Sequence, residues 1–486
     1  MKKSLLRFIT VLLSVVLLSC AAAACSVNDG GTGNEIDEKV KDIDFTADEN
    51  FSGSFTLITS SADAEIRMMN EVIKKFNEKY PYIRVNYKQE IEDQYYPSLT
   101  TAAGTAETLK DYSLMPDVFW YAQDRVDSFY GQGFVMPLSA IAAKDENFSF
   151  DEIVEEALDT CKVGDEVYLM PRDYNQVVMY FNQDIFDAAG IAYPTAKMSG
   201  EEFMKMLDDL RAGIDKSDAT NDYGSKYKDV CQYLIDVNAM WDSFLWPLIK
   251  GFGGRVINEA GEVVLDSENT YNAINFWKTL RTKGYVGTCT TSNMSVNFRM
   301  QQAPIFFHVR AMLTALVEGN NRVKGVKNLG VTALPQFGTE YAIGSGSSGY
   351  GMYVNSMNKT ASWLFLKFLV SEEGQNALCS TGNGIPSVKK MLNDDNATWR
   401  KWTHASLGTA FDQNAFIYGL NDGTKAASST RDFFKYLPIS IQSDVLNCLG
   451  ACFNIIDSGD NGEEAIRYQL SNQADLIEYY INRANR

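Results

Sequence analysis

Between Gly53 and Tyr87 the chain passes from strand to helix to strand, and this order constrains the fold more than any other feature of the sequence. Gly53-Ser54-Phe55-Thr56-Leu57-Ile58-Thr59 is a β-rich run, followed by a turn at Ser60-Ser61-Ala62-Asp63. Ile66, Met69, Val72, Ile73 and Phe76 then recur at helical spacing until Tyr80-Pro81, where proline stops the helix. Ile83 to Tyr87 reads as a second strand. Strand, long helix and strand in succession form a βαβ unit, so a parallel sheet is expected at the start of the folded chain.

The alternation continues irregularly. Asp117 to Trp120, Val177 to Asn182, Pro304 to Phe307 and Val331 to Leu334 read as strands, and Gly133 to Leu138 follows a short helix. Helices are predicted near Tyr271 to Leu280, from Thr360 to Val370, and from Glu463 onward with Ile466, Leu470, Ala474, Ile477 and Ile481 on one face. Ser149-x-x-Glu152 and Ser199-x-x-Glu202 match the capping box and are each expected to open an amphipathic helix. With 486 residues the chain exceeds one ordinary core, and two or three domains are expected. The fold class is α/β, helix-rich in its second half.

Composition narrows the function. Hydrophobic residues make up 45% of the chain, enough to exclude general disorder. A formal net charge of -18 argues against a nucleic-acid partner, which requires a concentrated positive field. With His308 and His404 as the only imidazoles, a His-rich metal site is excluded, and no cofactor is expected.

The N-terminus sets the compartment. Lys2, Lys3 and Arg7 precede an apolar run from Phe8 to Leu18, too short for a membrane span and typical of a secretory signal. Leu17-Leu18-Ser19-Cys20 resembles the lipobox of bacterial lipoproteins, in which the cysteine is lipidated and becomes the new first residue. Cys25, after Ala22-Ala23-Ala24, is the alternative. Residues 1–19 are thus read as the signal and 20–50 as a lipidated acidic tether, extended and solvated because it is self-repelling and poor in apolar residues. The protein is placed on the extracellular face of the cell membrane, held by its lipid. Cys161, Cys231, Cys289, Cys379, Cys448 and Cys452 are scattered without a CxxC and are read as buried apolar residues.

Catalytic motifs give no positive signal. Gly344-Ser345-Gly346-Ser347-Ser348-Gly349 matches G-x-G-x-x-G, but the strand-like Tyr350 to Asn355 follows where a dinucleotide site needs a helix. It reads instead as a flexible turn that permits close backbone approach, either to a ligand or to a neighbouring strand. Asp457 to Gly462 lacks the acids of a calcium loop. No G-x-S-x-G, H-E-x-x-H or G-x-x-x-x-G-K-[ST] occurs, and the protein is read as a non-enzyme.

Several stretches share a recognisable order: Asn77-Glu78-Lys79-Tyr80-Pro81 leading into Ile83-Arg84-Val85; Pro116-Asp117-Val118-Phe119; Tyr168-Leu169-Met170-Pro171-Arg172-Asp173-Tyr174; Met179-Tyr180-Phe181-Asn182; Leu329 to Pro335; Ser348-Gly349-Tyr350-Gly351; Ser371-Glu372-Glu373-Gly374-Gln375; and Gly384-Ile385-Pro386. Together they resemble family 1 extracellular solute-binding proteins, the carbohydrate-binding lipoproteins of ABC importers related to the maltose-binding protein. The resemblance implies a two-lobe periplasmic-binding-protein-like fold of interleaved segments joined at a hinge, acting as a monomer that delivers its ligand to permease transmembrane subunits. On that pattern 51–168 and 290–354 form lobe 1, and 169–289 and 355–486 form lobe 2.

A sugar offers apolar faces to aromatic rings and a rim of hydroxyls to a few polar side chains. Carried over position by position, the resemblance brings Ser60, Ser61, Asp63, Trp120, Gln123, Asp173 and Tyr174 to the inter-lobe cleft. Trp241, Asp242 and Trp246 come from the second lobe, with His308, Arg310, Gly349 and Tyr350 completing the wall. His308 stands where the family has a small residue, and a satisfied structural histidine is expected there. A different solute, such as a sugar phosphate, polyamine or peptide, and a surface glycosidase with paired carboxylates remain as alternatives.

Overall fold

The computed structural model describes residues 38–288, 295–319, 323–421, 426–429, 432, 436–459 and 461–484. The signal segment, Cys20, Cys25 and Cys289 lie outside the described residues.

The opening βαβ unit forms as the sequence predicts. Strand β1 (Gly53–Ser60) buries Phe55 and Leu57 on alternate positions, and helix α1 (Asp63–Lys79) buries Met68, Met69, Val72 and Phe76 against it. Pro81 ends α1 by forcing Tyr80 out of the helical region, to φ -119° and ψ 71°. The chain returns as β2 (Ile83–Glu90), α2 (Glu92–Leu109) and β3 (Val118–Ala122). β1 pairs in parallel with β2 on one side and with β3 on the other.

Three short strands then run between two sheets: β4 (Met170–Pro171), β5 (Asn175–Gln176) and β6 (Val178–Asn182). Beyond them lie α3 (Gln183–Ala189), α4 (Gly200–Lys216), β7 (Ile235–Asp236), α5 (Asp242–Gly251), α6 (Glu268–Thr282), β8 (Ile305–His308) and β9 (Leu329–Ala333). β10 (Ile343–Gly346) and β11 (Ser348–Met352) lead back, followed by α7 (Lys359–Leu369), α8 (Glu372–Cys379), β12 (Leu407–Phe411), β13 (Ala427–Ser429), α9 (Gln442–Asn454) and α10 (Glu463–Ala484).

The first sheet has the order β2-β1-β3-β11-β4 and the second β12-β9-β6-β8-β7. A small sheet, β13-β10-β5, lies where the chain crosses between them. Two lobes made of interleaved segments are therefore present, each centred on a five-stranded sheet.

Pairing redraws the expected lobe boundaries. β8 and β9 flank β6, with Phe306 opposite Tyr180 and Val331 opposite Tyr180 on the other edge, so both strands belong to the second lobe and not the first. α7 packs on the first lobe, where Phe365 lies 5.1 Å from Phe55 and Phe368 lies 5.5 Å from Phe76. α10 joins the second, its Arg467 paired with Glu268 of α6 and lying 4.0 Å over Tyr271. Which sheet a strand enters depends on partners far away in sequence, and local pattern does not record them.

The tether also ends earlier than its composition suggests. Val40 is fully buried and Ile43 nearly so, the Asp44 amide donates to Thr360 Oγ1 at 3.0 Å, and Lys359 Nζ donates to the Lys39 carbonyl at 2.6 Å. The few apolar residues among the acids anchor this stretch to the first lobe.

The Ser199 capping box forms, with both reciprocal bonds present. Ser149 does not cap a helix directly: its Oγ accepts from the Asp151 amide, a 3-10 turn covers Phe150–Glu152, and the helix begins only at Glu155. The Gly344–Gly349 run is not a turn. It is extended through β10 and β11, and it is glycine-rich because other backbone crowds it: a Cβ at Gly349 would lie 1.9 Å from the Met170 carbonyl oxygen. Cys161, Cys231, Cys379, Cys448 and Cys452 are buried free thiols, in keeping with the sequence reading.

Full burial of one aliphatic side chain contributes roughly 2 kcal/mol. A chain starting at Phe51 is therefore expected to melt several degrees below one starting at Glu38 in a thermal denaturation experiment. Equal melting temperatures would show that the docked segment adds nothing.

Candidate functional site

Because β1 and β3 run parallel, their C-terminal ends open on the same edge of the first sheet, the usual place for a ligand in an open α/β sheet. Ser60 ends β1 nearly buried, Ser61 is half-buried and Asp63 is exposed. None of these three side chains is hydrogen-bonded among the described residues. Trp120, in the middle of β3, is half-buried; it stacks on Tyr96 of α2 with ring centroids 6.1 Å apart and planes 20° apart, and the Arg172 guanidinium lies 5.7 Å over its ring. Its indole Nε1 is buried without a hydrogen-bond partner.

Beneath these groups lies a closed polar network. Glu65, in the first turn of α1, accepts from Tyr350 Oη at 2.6 Å and pairs with the Arg172 guanidinium. Arg172 Nε reaches Asp173 Oδ2 at 3.3 Å, and Asp173 Oδ1 accepts from both the amide and the hydroxyl of Ser348 at 3.2 Å. All of these charged side chains are at least nine-tenths buried. Burial alone would lower the Arg172 pKa, but the charges of Glu65 and Asp173 outweigh it and hold the guanidinium more firmly protonated than usual.

The second lobe contributes the start of α5 and the end of β8. Trp241 is half-buried and stacks on His308, with centroids 4.6 Å apart and planes 16° apart. His308 also stacks on Phe306 at 5.4 Å. Burial pushes the His308 imidazole down to about 4, so it is neutral at pH 7. Contrary to expectation it is not fully satisfied, since its Nδ1 is buried without a partner.

The two lobes approach each other along β10. Gln123 donates from Nε2 to the Ser345 carbonyl and accepts the Ser347 amide at Oε1, while a Cβ on Gly344 would sit 1.8 Å from the Ser243 carbonyl oxygen. Asp124 and Asp242, each next to one of these contacts, come close enough for the Asp124 charge to act on Asp242. Burial, and after it Asp124, pushes the Asp242 carboxyl up to about 6. Desolvation raises Asp124 as well, although 45% of its side chain is open to water.

The predicted site residues therefore separate into two groups. Ser61, Asp63, Trp120, Trp241 and Asp242 keep surface open to solvent, and Ser60 and His308 are nearly buried. Gln123, Asp173 and Tyr350 are buried and committed to internal bonds, which makes them supports of the wall. Tyr174 is fully buried with its hydroxyl on Gln176 Oε1 at 3.2 Å, and Trp246 is buried in α5. Arg310 is fully buried, bonded to the Gly382 and Trp399 carbonyls and to Gln413, with its guanidinium 4.9 Å from the Phe416 ring. Gly349 sits in mid-sheet. Tyr174, Trp246, Arg310 and Gly349 thus do not face solvent, because the strand and helix phases turn them inward.

Glu65, Tyr96 and Asp124 belong to this region and were not among the expected residues. Asp124 could have been found from its adjacency to Gln123. Glu65 and Tyr96 carry no distinguishing signal in the sequence.

Bacterial extracellular solute-binding proteins match this chain over residues 71–406 when it is compared with known families. The chain belongs to that family. A Brucella abortus protein described as a binding protein is 26% identical over 370 residues, spanning 70% of this chain and 81% of its own. Among solved structures, the Listeria monocytogenes ABC substrate-binding protein in complex with cycloalternan gives a TM-score of 0.68 at 18% identity, covering 89% of this chain and 100% of its own. The GacH receptor of Streptomyces glaucescens, solved unliganded and with acarbose, gives 0.65 at 17% identity, covering 89% and 99%. A maltose-bound protein of T. maritima gives 0.64 at 16% identity, covering 88% and 100%. At these identities the likeness establishes the two-lobe fold of this solute-binding protein.

The raised Asp242 carboxyl has a consequence for stability. An acid whose folded value lies above its unfolded value near 4 stabilises the fold only while protonated, and that contribution is lost as pH rises from about 4 through about 6. Asp242→Asn is therefore expected to stabilise the unliganded protein at pH 7 by roughly 1–2 kcal/mol, reduced from the full shift by partial solvent access. Urea denaturation from pH 4 to 7 should show the gap opening across that interval. A gap that does not change with pH would contradict the assignment.

Proposed function

We propose that this protein captures a carbohydrate between its lobes and hands it to the membrane subunits of an ABC importer, without altering it chemically. The observation that carries the reading is the pair of part-exposed tryptophans, Trp241 stacked on His308 of the second lobe and Trp120 beside Tyr96 and Arg172 of the first. Flat apolar rings from both lobes, interspersed with Ser61, Asp63, Asp124 and Asp242, suit the apolar faces and hydroxyl rim of a sugar. The sugar ligands of the Listeria, Streptomyces and T. maritima structures support the same class.

A sugar phosphate is the poorer match. Arg172 is already neutralised by Glu65 and Asp173, and Arg310 is enclosed away from the cleft. Neither offers an anion a free guanidinium.

Intrinsic fluorescence and thermal shift against a panel of mono- and oligosaccharides test this reading. A ligand should raise the melting temperature by mass action, and Trp241→Ala should weaken its binding at least tenfold. Binding that is unchanged in Trp241→Ala would place the ligand elsewhere.

The lipid anchor is part of the proposal, with Cys20 as the modified residue and Cys25 as the alternative. No helix among the described residues is long and apolar enough to cross a membrane. Cys20→Ser is expected to move the protein from the membrane fraction to the medium, with loss of the acyl mass in mass spectrometry. If Cys25→Ser has that effect and Cys20→Ser does not, the site is Cys25.

A further inference from the structure

Strand register builds a row of flat rings that ends at Trp241. Phe306 and His308 stand two residues apart on β8, so their side chains share a face, and Tyr180 of β6 is paired directly opposite Phe306. The rings keep that order with nearly parallel planes: His308 to Phe306 at 5.4 Å and 19°, Phe306 to Tyr180 at 6.2 Å and 22°, Phe306 to Phe298 at 5.7 Å and 26°. Trp241 adds the last layer, 4.6 Å from His308 and tilted by 16°. Offset stacks of this spacing are favoured between aromatic rings.

The inner part of the row is fixed. Phe298, Phe306 and Tyr180 are fully buried, and Tyr180 Oη donates to the Val309 carbonyl at 3.2 Å. Trp241 is held differently. Its backbone is tied, with its amide on the Asn238 carbonyl at 3.1 Å and its carbonyl accepting from the Phe244 and Leu245 amides. Its ring is half-buried, and among the described residues it has His308 as its only ring partner and no side-chain hydrogen bond. The plane of the indole therefore rests on that one stacking contact.

His308 suits this task better than it suits a plain core position. Burial keeps the imidazole uncharged at pH 7, so it stacks as a neutral ring. Its Nδ1 is buried without a partner, a cost that leucine would avoid while offering Trp241 no flat face.

We infer that His308 is the positioning residue of Trp241, setting the plane in which the indole meets the solute without touching the solute itself. The part of this that concerns the solute rests on the carbohydrate reading; the part that concerns the ring does not.

The test uses the full chain with 5-fluorotryptophan at its seven tryptophan positions, the Trp241 fluorine resonance being the one lost in Trp241→Phe. In the unliganded protein that resonance is expected to be displaced from the free amino acid. His308→Leu should move it toward the free position and narrow it, and His308→Phe should leave it displaced. Calorimetric titration with maltose, maltotriose and acarbose then reads the function, with thermal melting confirming that the variants are folded. His308→Leu is expected to weaken the saccharide that binds at least tenfold, and His308→Phe to stay within about threefold of the natural protein. Placed on Trp241→Ala, His308→Leu should add less than twofold, because its effect acts through the ring already removed. A loss that adds in full to that of Trp241→Ala, or binding unchanged in His308→Leu, overturns the inference and leaves the carbohydrate reading standing. A natural Trp241 resonance as narrow and undisplaced as the free amino acid overturns it without recourse to any variant. Should none of the three saccharides bind, the carbohydrate reading loses its support and the fluorine resonance alone decides the inference.

Discussion

The buried network of Glu65, Arg172, Asp173, Tyr350 and Ser348 is the interaction on which the rest of the structure depends. It joins three separate pieces of chain at one point: the first turn of α1, the strand leaving the first lobe, and the strand returning to it. A guanidinium this deeply enclosed is tolerated only because two carboxylates neutralise it, and removing one partner of such a set costs about 3–5 kcal/mol. The neighbouring backbone is tied as well: Gln375 Nε2 donates to the Arg172 carbonyl, and Ser387 Oγ donates to the Pro171 carbonyl. Both crossing strands are thereby fixed to the first lobe.

The crossing strands are held beyond this point as well. On the first-lobe side, Asp173 is held by Ser348, and the Tyr174 amide donates to the Ile385 carbonyl. On the second-lobe side, Ser345 lies opposite Gln176 and the Val177 amide donates to the Gly344 carbonyl. Ile343 to Ser345 pair on their other edge with β13, and Gln176 Nε2 donates to the Ala415 carbonyl, so these segments are held by more than each other. The glycines at 344 and 346 let α5 and Gln123 lie against these strands at distances no side chain would permit.

The sequence was most legible where structure is local. The β1-α1-β2 unit, the Ser199 cap and the buried face of α10 follow from periodicity and capping chemistry, and all appear where expected. It was least legible where structure is set by partners remote along the chain. Gly344 to Gly349 has the composition of a loop yet is extended, because crowding by Met170, Ser243 and Gln123 and not flexibility requires its glycines. The same limit governs the site. Trp120 and Trp241, chosen from residue type and motif order, keep part of their surface exposed, but Tyr174, Arg310 and Tyr350 share those credentials and turn inward, since one position along a strand exchanges its faces. Glu65 was missed because an acid in a first helical turn ordinarily serves only the helix dipole.

The cleft and the network beneath it handle charge in opposite ways. Arg172 is surrounded by carboxylates in a closed set that asks nothing of a ligand. Asp124, paired with Arg125 at 3.4 Å, is close enough to Asp242 for its charge to raise the Asp242 carboxyl, and like charges so placed oppose the approach of the two segments that carry them. Burial, and after it Asp124, makes the ionised form of Asp242 costly at neutral pH, because a low local dielectric strengthens repulsion as well as attraction. The first network is neutral within itself and holds its segments together, whereas the second pair of acids is a standing cost that the rest of the fold outweighs.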